Sequence, residues 1–362
     1  MKSDNNQTRE ERPRLFQMML SKTPGGADRF FEKLTIAFAE AGVPQLVVIE
    51  PNPEREALFR QQSNIRVEPL RFGGLREPLA RMRLKRLLND FEPGAAMTWM
   101  SRASRRMPYG PFAKIARLGD YYPLKHYRRC DHLVANTPDI LDYLKREGWP
   151  AERAHLVGNF CDPPALSDPP EKVRADVRRE TGIPDTAPLL LALGRLHPKK
   201  AQDILLRAMV SVPKAHLLLA GEGPLRPELE RLAGELGLDD RVRFLGWRRD
   251  ADRLLAACDA CVVPSRFEPL GNVVLEAWAH RKPLIAARST GPAWLVEHEK
   301  DGLLVPVDDV KALAEGLNRL LADPELRKKL VANGHERFER DFSRKAVVEQ
   351  YLRFFERVKS AV

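Results

Sequence analysis

The sequence lacks a long apolar run, a disulfide framework and a cluster of metal ligands. No stretch of about 18 consecutive apolar residues occurs in the 362 positions, so we expect no transmembrane helix. The polar amino terminus, MKSDNNQTREERPR, has no signal-peptide core. Among the four cysteines, the pair in CDAC (258–261) has no partner pair and the eight histidines show no metal-binding spacing, which favours a core position over zinc or redox chemistry. We therefore expect a cytoplasmic protein that holds no metal ion and keeps its thiols reduced.

Acidic residues are scarce between positions 71 and 129. This segment holds fourteen Lys and Arg but only four Asp and Glu, so it accounts for the whole net charge of +10. Such a surface can attract phosphates or an anionic membrane face; the alternative is a merely solvated basic surface. No DNA- or RNA-binding motif accompanies the charge, so we expect no nucleic acid partner.

Short apolar segments alternate with helical patterns in two sets, separated by a polar, proline-containing stretch at 161–188. The segments are RLFQMML (14–20), QLVVIE (45–50), AAMTWM (95–100), KIARL (114–118) and DHLVAN (131–136), then LLLALGRL (189–196), HLLLAG (216–221), RVRFLGW (241–247), ACVVPS (260–265) and KPLIAA (282–287). Such alternation predicts an α/β protein with two Rossmann-like, doubly wound parallel-sheet domains. We expect ligands at the carboxyl ends of the strands, in a cleft between the domains.

These patterns also predict the domain limits. The first domain is placed at 1–165 and the second at 166–342. A last helix at 343–362 carries aromatic residues on a compatible spacing and could pack back on the first domain.

Several motifs follow the predicted strands. In PGGADRF, Gly25 and Gly26 open an amphipathic helix whose N–H groups could face an anion, although any strand-to-helix turn can contain such a pair. In GRLHPKK, Arg195 and Lys200 stand where two cations could hold a diphosphate, and Lys199 competes with Lys200 for this role. The helix dipole disfavours cations at a helix start, which favours a functional reason for them.

Two further motifs contain glycine turns or carboxylates. In AGEGP, Gly221 and Gly223 shape a turn over which a base or ribose could lie, and a tight structural turn is an equal alternative. In FEPLGNVVLEAW, Glu268 lies in a loop at a strand end and Glu276 about two turns into a helix. We expect this helix to be buried because it is apolar nearly all round, and a buried carboxylate needs a partner. The alternative is a local cap at Glu268 and a surface position for Glu276.

Residues 188–310 together resemble glycosyltransferase family 4, the group 1 retaining enzymes of the GT-B fold. The resemblance rests on the ordered motifs GRLHPKK, GEGP, VRFLGW, VVPSRFEPLGNVVLEA, RKPLIAA and DGLLVP. The amino-terminal half matches more loosely, through PGGADRF and RLGDYYPLKHYRRCDHLVANTPDI. It would be the acceptor-side domain, and the carboxy-terminal half would bind the nucleotide sugar.

The resemblance implies a role for each motif. Arg195 and Lys200 would hold the donor diphosphate, Glu268 would face the transferred sugar, and Glu276 would accept the ribose hydroxyls. Further donor contacts are expected at Gly25, Gly26, Gly194, Gly221, Glu222, Leu270, Gly271 and Asn272. The resemblance also implies no metal and no cofactor, with the nucleotide sugar as substrate, and we expect a UDP-sugar rather than a GDP-sugar.

The acceptor side departs from the family pattern. Many relatives carry a histidine after an apolar strand, where this chain has Gly119 and Asp120. Three groups could take the proton from the acceptor hydroxyl. They are Asp120, His126 beside Lys125 on the next turn, and the leaving phosphate without help from either residue. The basic segment suits a phosphorylated glycolipid or growing surface polysaccharide at the inner membrane face. We therefore expect a hexosyltransferase of lipopolysaccharide or related synthesis; the alternatives are a nucleotide-sugar epimerase and a non-catalytic binding protein.

Overall fold

The computed structural model describes residues 12–21 and 25–359, which fall into two compact units. One unit consists of the described residues up to Asn159 and from Val347 onward, and the other is Phe160–Ala346. Within these described ranges, no helix combines the length and the apolarity needed to cross a membrane.

The first unit is built on a parallel sheet of seven strands. The strands are β1 (Leu15–Met19), β2 (Gln45–Ile49), β3 (Ile65–Pro69), β4 (Ala95–Trp99), β5 (Ala113–Leu118), β6 (His132–Ala135) and β7 (Ala154–Leu156). Their order in the sheet is β3-β2-β1-β4-β5-β6-β7. Because the order reverses between β1 and β4, the carboxyl ends of these two strands form the crevice where such sheets bind ligands.

Helices cover the sheet of the first unit. They are α1 (Gly26–Glu40), α2 (Pro53–Arg60), α3 (Glu77–Phe91), α4 (Met100–Ser104) and α5 (Pro138–Arg146). Helix α1 shows why the pattern forms a helix here, because Phe30, Phe31, Leu34 and Phe38 recur on one face and are all buried.

The carboxy-terminal residues complete the core of the first unit. Tyr351 and Phe355 lie on the last helix and place their rings 5.5 Å and 5.7 Å from the ring of Phe38. The Tyr351 hydroxyl accepts a hydrogen bond of 2.9 Å from Nε of Arg117, a buried side chain that also stacks over Phe30. A buried cation needs such partners, so this helix supplies polar as well as apolar contacts.

The second unit is built on a parallel sheet of six strands. They are β8 (Leu189–Leu193), β9 (His216–Ala220), β10 (Val242–Gly246), β11 (Ala260–Val263), β12 (Leu284–Ala287) and β13 (Leu303–Val305). The sheet order is β10-β9-β8-β11-β12-β13, which places the reversal between β8 and β11. The helices are α6 (Pro170–Thr181), α7 (Gln202–Met209), α8 (Arg226–Glu235), α9 (Ala251–Ala257), α10 (Asn272–Ala279), α11 (Thr290–Leu295), α12 (Val310–Ala322) and α13 (Pro324–Arg337). The last helix, α14 (Arg344–Lys359), begins in this unit, and its residues from Val347 onward belong to the first.

The predicted α/β class with two doubly wound parallel sheets is confirmed. Each of the ten predicted apolar segments coincides with a strand to within one residue at its start or contains it, whereas β3, β7 and β13 were not predicted. All three are edge strands, which pair on one side only; two are three residues long and β3 alternates with polar residues. Cys258 and Cys261 of the CDAC motif are fully buried in the core of the second unit, as expected.

A histidine pair makes the first unit sensitive to acid. Nδ1 of His132 and Nε2 of His155 are 3.1 Å apart, and the ring of Phe354 lies 4.6 Å from that of His155. Burial, the neighbouring His132 and Arg357 lower the pKa of His155 from 6.5 to about 4, and burial also lowers the pKa of His132. The neutral rings therefore fit the folded state.

The stability of this unit is expected to fall as the pH decreases below 6.5. Between pH 6.5 and 4 the unfolded His155 binds more protons than the folded one, so protonation favours unfolding. The loss between pH 7 and 5 should be roughly 1–2 kcal/mol, allowing for partial exposure of the ring. Urea unfolding of the protein and of His155→Gln at both pH values measures it. Parallel losses in the two proteins would rule out this histidine as the cause.

Candidate functional site

Two loops meet at the strand reversal of the second unit. One follows β8 and runs through residues 194–200, and the other follows β11 and runs through 264–271. Because β8 and β11 are neighbours, their carboxyl ends bring Lys200 and Glu268 together, and Nζ of Lys200 forms an ion pair with Oε2 of Glu268. Only 8% of the Glu268 surface is exposed, so this carboxylate lies in a site with little water.

Backbone hydrogen bonding holds the main chain of Glu268 in place. Its carbonyl oxygen accepts a hydrogen bond of 2.7 Å from the N–H of Gly291. A Cβ on Gly291 would lie 2.5 Å from that oxygen, so the close approach requires glycine. Oε1 of Glu268 also accepts a long contact of 3.4 Å from the N–H of Gly271. The local capping expected as an alternative is thus present, but it leaves Oε2 directed at Lys200.

Arg266 holds the second loop in place, and the sequence reasoning did not single it out. Its guanidinium donates two hydrogen bonds, 2.9 Å and 2.7 Å long, to the carboxylate of Asp203. It also lies 2.5 Å from Asp308 and donates to the carbonyl of Pro198 at 2.9 Å. Because Asp203 lies in the first turn of α7, this fork ties the Glu268 loop to the Lys200 loop.

Glycines allow the loops after β8 and β9 to touch. Gly221 has a φ of +153°, and a Cβ there would lie 1.9 Å from the carbonyl oxygen of Gly194. A Cβ on Gly223 would lie 2.1 Å from the carbonyl oxygen of Leu196, whose N–H donates to Glu222 O at 3.0 Å. Tight packing therefore requires these glycines, and a donor contact at this turn stays a prediction.

The cations around Glu268 have different environments. Gly194 has a φ of +145°, and the Lys200 side chain passes beside it, 3.6 Å from the place of a Cβ, which is an ordinary contact distance. Lys199 instead places its Nζ 4.7 Å from the ring centre of Phe267, so Lys200 rather than Lys199 faces the carboxylate. Arg195 is exposed at the end of β8. Its part in binding a diphosphate together with Lys200 stays a prediction.

Glu276 is less buried than expected. Helix α10 buries Val274, Leu275, Ala277, Trp278 and Ala279 in the core. The helix is buried as expected, but Glu276 is only partly buried, and Asn272, one turn before it on the same face, is exposed. The apolar residues of α10 leave one narrow polar face. The helix has only eight residues, too few for the hydrophobic periodicity of the sequence to show where this face lies.

The remaining predicted donor contacts lie on three different segments: the loop after β11, the loop after β9 and the start of α1. Gly271 is buried and precedes α10 with a φ of +71°, and Leu270 beside it is partly buried. Glu222 is exposed, and its Oε1 accepts a hydrogen bond of 2.8 Å from Arg226. Gly25 and Gly26, in the first unit, have no positive φ, and no atom of the described residues would clash with a Cβ there. Within the described part of the chain neither packing nor backbone conformation requires glycine at these positions, and a role toward a ligand stays a prediction.

The first unit has a cavity of about 840 Å³ at the carboxyl ends of β1 and β4. Met100 lines it with a φ of +62°, a strained conformation for a residue that is not glycine and a frequent feature of functional sites. Arg102 and Arg105 also line it, and Arg102 donates to the carbonyls of Leu20 and Phe72 at 2.9 Å and 3.0 Å. These residues were not predicted as site residues. The three arginines at 102, 105 and 106, which closely follow β4, could have indicated an anion-binding site.

The predicted acceptor-side residues follow β5. Asp120 is exposed, and its Oδ1 accepts a hydrogen bond of 2.8 Å from the N–H of Tyr121. His126 ends a short 3-10 turn and lies beside the exposed Lys125. Burial and the charges of Arg105 and Lys125 lower the pKa of His126, which favours its neutral form. Both Asp120 and His126 are placed to reach solvent, and their part in proton transfer stays a prediction.

Comparison with known proteins identifies the family. Residues 173–337 match the family model described as glycosyl transferases group 1. The chain is 40% identical over 92% of its length to lipopolysaccharide core biosynthesis glycosyltransferase LpsD of Rhizobium meliloti (strain 1021), of which it covers 96%. It is 36% identical over 91% of its length to LpsE of the same strain, of which it covers 95%.

A solved structure shares the fold. The crystal structure of Anabaena HepE in complex with UDP and glucose has a TM-score of 0.74 and 23% identity, covering 95% of this chain and 99% of HepE. The fold is therefore that of the GT-B enzymes. With the identity to LpsD along nearly the whole chain and the Lys200–Glu268 pair between two strand ends, these findings show that the chain belongs to the group 1 glycosyltransferases.

Proposed function

We propose that this glycosyltransferase moves a hexose from a UDP-sugar to a hydroxyl of a glycan or glycolipid in lipopolysaccharide or related surface-polysaccharide synthesis, with retention at the anomeric carbon. The observation that carries the proposal is the Lys200–Glu268 ion pair at the strand reversal of the second unit. An ion pair with little exposure is costly to desolvate, and a diphosphate that recruits Lys200 would leave Glu268 facing the sugar. The names of LpsD and LpsE support the lipopolysaccharide part.

Each donor group has a proposed partner. Lys200 and the exposed Arg195 balance the diphosphate charge that grows as the bond from the anomeric carbon to the phosphate oxygen breaks. Glu268 accepts hydrogen bonds from sugar hydroxyls, and Glu276 on the open face of α10 accepts them from the ribose. The acceptor oxygen forms the new bond on the same face, and its proton passes to the leaving phosphate oxygen or to Asp120. No metal ion is proposed, because these cations meet the phosphate charge.

The acceptor is proposed to carry negative charge. The cavity of the first unit at the carboxyl ends of β1 and β4 is lined by Arg102, Arg105 and Arg106. Arg102 and Arg106 already pair with Glu50 and Glu77, whereas Arg105 forms no ion pair with any residue that the structure describes. Arginine binds phosphate and carboxylate groups with two parallel hydrogen bonds, so Arg105 favours a phosphorylated or acidic glycan. Lipopolysaccharide core sugars of that character would fit it.

A two-step experiment tests the proposed function. Thermal unfolding is first followed with UDP, GDP, ADP and their common sugars, and UDP compounds are expected to raise the midpoint most, because a ligand that binds only the folded state stabilises it. The best donor is then incubated with and without deacylated lipopolysaccharide core. Acceptor-dependent release of nucleotide supports a transferase. Conversion of the donor to another nucleotide sugar without acceptor would identify an epimerase, and no response to any nucleotide would contradict the proposal.

A further inference from the structure

A second cavity lies at the opposite edge of the sheet in the first unit. Its volume is about 920 Å³. Pro13 and Arg14 directly before β1, Gly94 before β4 and Phe112 before β5 line it, so it opens at the amino ends of the strands. The proposed acceptor cavity is at the carboxyl ends of the same sheet. Among the described residues the two linings share only Arg106, so the proposed acceptor site does not account for this cavity.

The lining combines an apolar floor with a cationic rim. Leu84, Leu88 and Phe112 form the floor and are each at most 5% exposed. Six cations and one acidic residue, Glu92, also line the cavity. The cations are Arg12, Arg14, Arg81, Lys85, Arg106 and Arg129. An apolar floor beneath clustered positive charge fits a ligand with both an anionic group and a hydrocarbon part.

Some of these cations are already neutralised and others are not. Arg81 and Arg106 both pair with Glu77, at 2.9 Å and 3.0 Å. Lys85 and Arg129 form no ion pair with any residue that the structure describes. Arg129 stacks 5.1 Å from the ring centre of Tyr109, which holds its guanidinium at the rim. The same holds for Arg12 and Arg14, so these four lining cations are open to an anionic ligand, and Lys85 and Arg129 are the two that lie outside the amino-terminal segment before β1.

The surface beside the cavity is apolar and exposed. Among the described residues, the four most exposed large apolar side chains are Leu75 (98%), Tyr109 (76%), Leu79 (69%) and Met82 (68%). Leu79 and Met82 share the outer face of α3, whose next turns carry Lys85 and Arg86. Four such side chains within 35 positions form an apolar surface that is expected to be covered by another molecule. Because cations lie between these apolar groups, the surface suits an anionic bilayer.

We propose that this cavity is a binding site for the phosphate-bearing headgroup of an anionic lipid, with the outer face of α3 and Tyr109 entering the bilayer surface. Lys85 and Arg129 bind the lipid phosphate, and the first carbons of the lipid lie against Leu84 and Phe112. The proposal deepens the proposed function, because it gives the enzyme a way to stay on the membrane that holds a glycolipid acceptor. It does not depend on the donor site, which lies in the other unit.

Vesicle binding tests the headgroup site. Co-sedimentation with phosphatidylcholine vesicles containing 30% phosphatidylglycerol (about the anionic fraction needed for a clear surface charge) is compared with pure phosphatidylcholine. The double variant Lys85→Ala/Arg129→Ala is expected to bind the anionic vesicles about 30-fold more weakly, since each cation near such a surface contributes about fivefold. The control Lys145→Ala/Arg146→Ala removes the same charge from α5 of the same unit, and it should lose less than about threefold.

Two further arms separate the sources of the phosphate and the role of α3. Leu79→Gln/Met82→Gln keeps every charge and should also weaken vesicle binding.

Inorganic phosphate and glycerol 3-phosphate should not compete with vesicles at millimolar concentration. If they bind at this cavity and vesicles do not, the ligand is a soluble phosphate compound and the proposal is wrong. Equal losses in both charge variants would likewise overturn it. Nucleotide-induced thermal shifts of all variants should match the unmodified protein, so a failure here is distinguishable from a failure of the proposed function.

Discussion

Replacing Lys200 by methionine is expected to lower kcat/KM for sugar transfer about 10²- to 10³-fold, the loss typical when one charge-stabilising donor is removed from an active site. Methionine keeps the unbranched stem that passes over Gly194 but removes the charge that faces Glu268. The leaving diphosphate then lacks its closest proposed cation. Steady-state kinetics with the donor identified by the nucleotide screen measures the loss.

Lys199 provides a matched control for this variant. It is the neighbouring residue of the same type, but its Nζ lies over the ring of Phe267. Lys199→Met should keep kcat/KM within about twofold, as expected for a surface substitution. Lys200→Met also leaves Glu268 without its cation, which should lower the free energy of unfolding by about 1–3 kcal/mol. Equal activity in the two variants would show that the wrong lysine has been assigned.

Gly221→Ala is expected to destabilise the second unit by about 3–6 kcal/mol, combining backbone strain and overpacking. The new Cβ would lie 1.9 Å from the carbonyl oxygen of Gly194, and that oxygen belongs to backbone and cannot swing away. A loss of this size is a large part of the total stability of a domain. Urea unfolding followed by tryptophan fluorescence measures it, because Trp278 and Trp294 both lie in this unit.

Gly237→Ala separates the two causes of this effect. Gly237 also has a positive φ, of +67°, but no atom lies within 4 Å of the place of its Cβ. This variant should therefore cost only the left-handed conformation, about 1–2 kcal/mol. If the two variants lost the same stability, the contact between the loops after β8 and β9 would not be a tight one.

The sheet cores were predictable because their strands are buried on both faces. The segment LLLAL is apolar throughout and QLVVI is apolar after Gln45, and this pattern follows from burial in a doubly wound sheet. The edge strands β3, β7 and β13 escaped prediction because they are short or half polar. The partial exposure of Glu276 was not predicted for a related reason. Five of the eight residues of α10 are buried, so too few polar residues are left to mark the face that is exposed.

The site was predictable in composition but not in its contacts. The motifs placed Lys200 and Glu268 at strand ends, and each was expected to contact a different part of the donor. Their ion pair depends on the reversal of strand order between β8 and β11, which no local pattern records. Arg266 was missed because its partners Asp203 and Asp308 are distant in sequence. The strained Met100 was missed because φ cannot be read from a methionine.

Calorimetric titration with the nucleoside diphosphate of the best donor, UDP by expectation, tests most directly whether the loops after β8 and β11 form the donor site. The unmodified protein and Lys199→Met should bind with the same Kd, within about twofold. Lys200→Met should bind at least about tenfold more weakly, because a hydrogen bond between charged groups contributes about 1.5–3 kcal/mol. The same Kd for all three proteins would contradict the assignment of this site to the donor diphosphate.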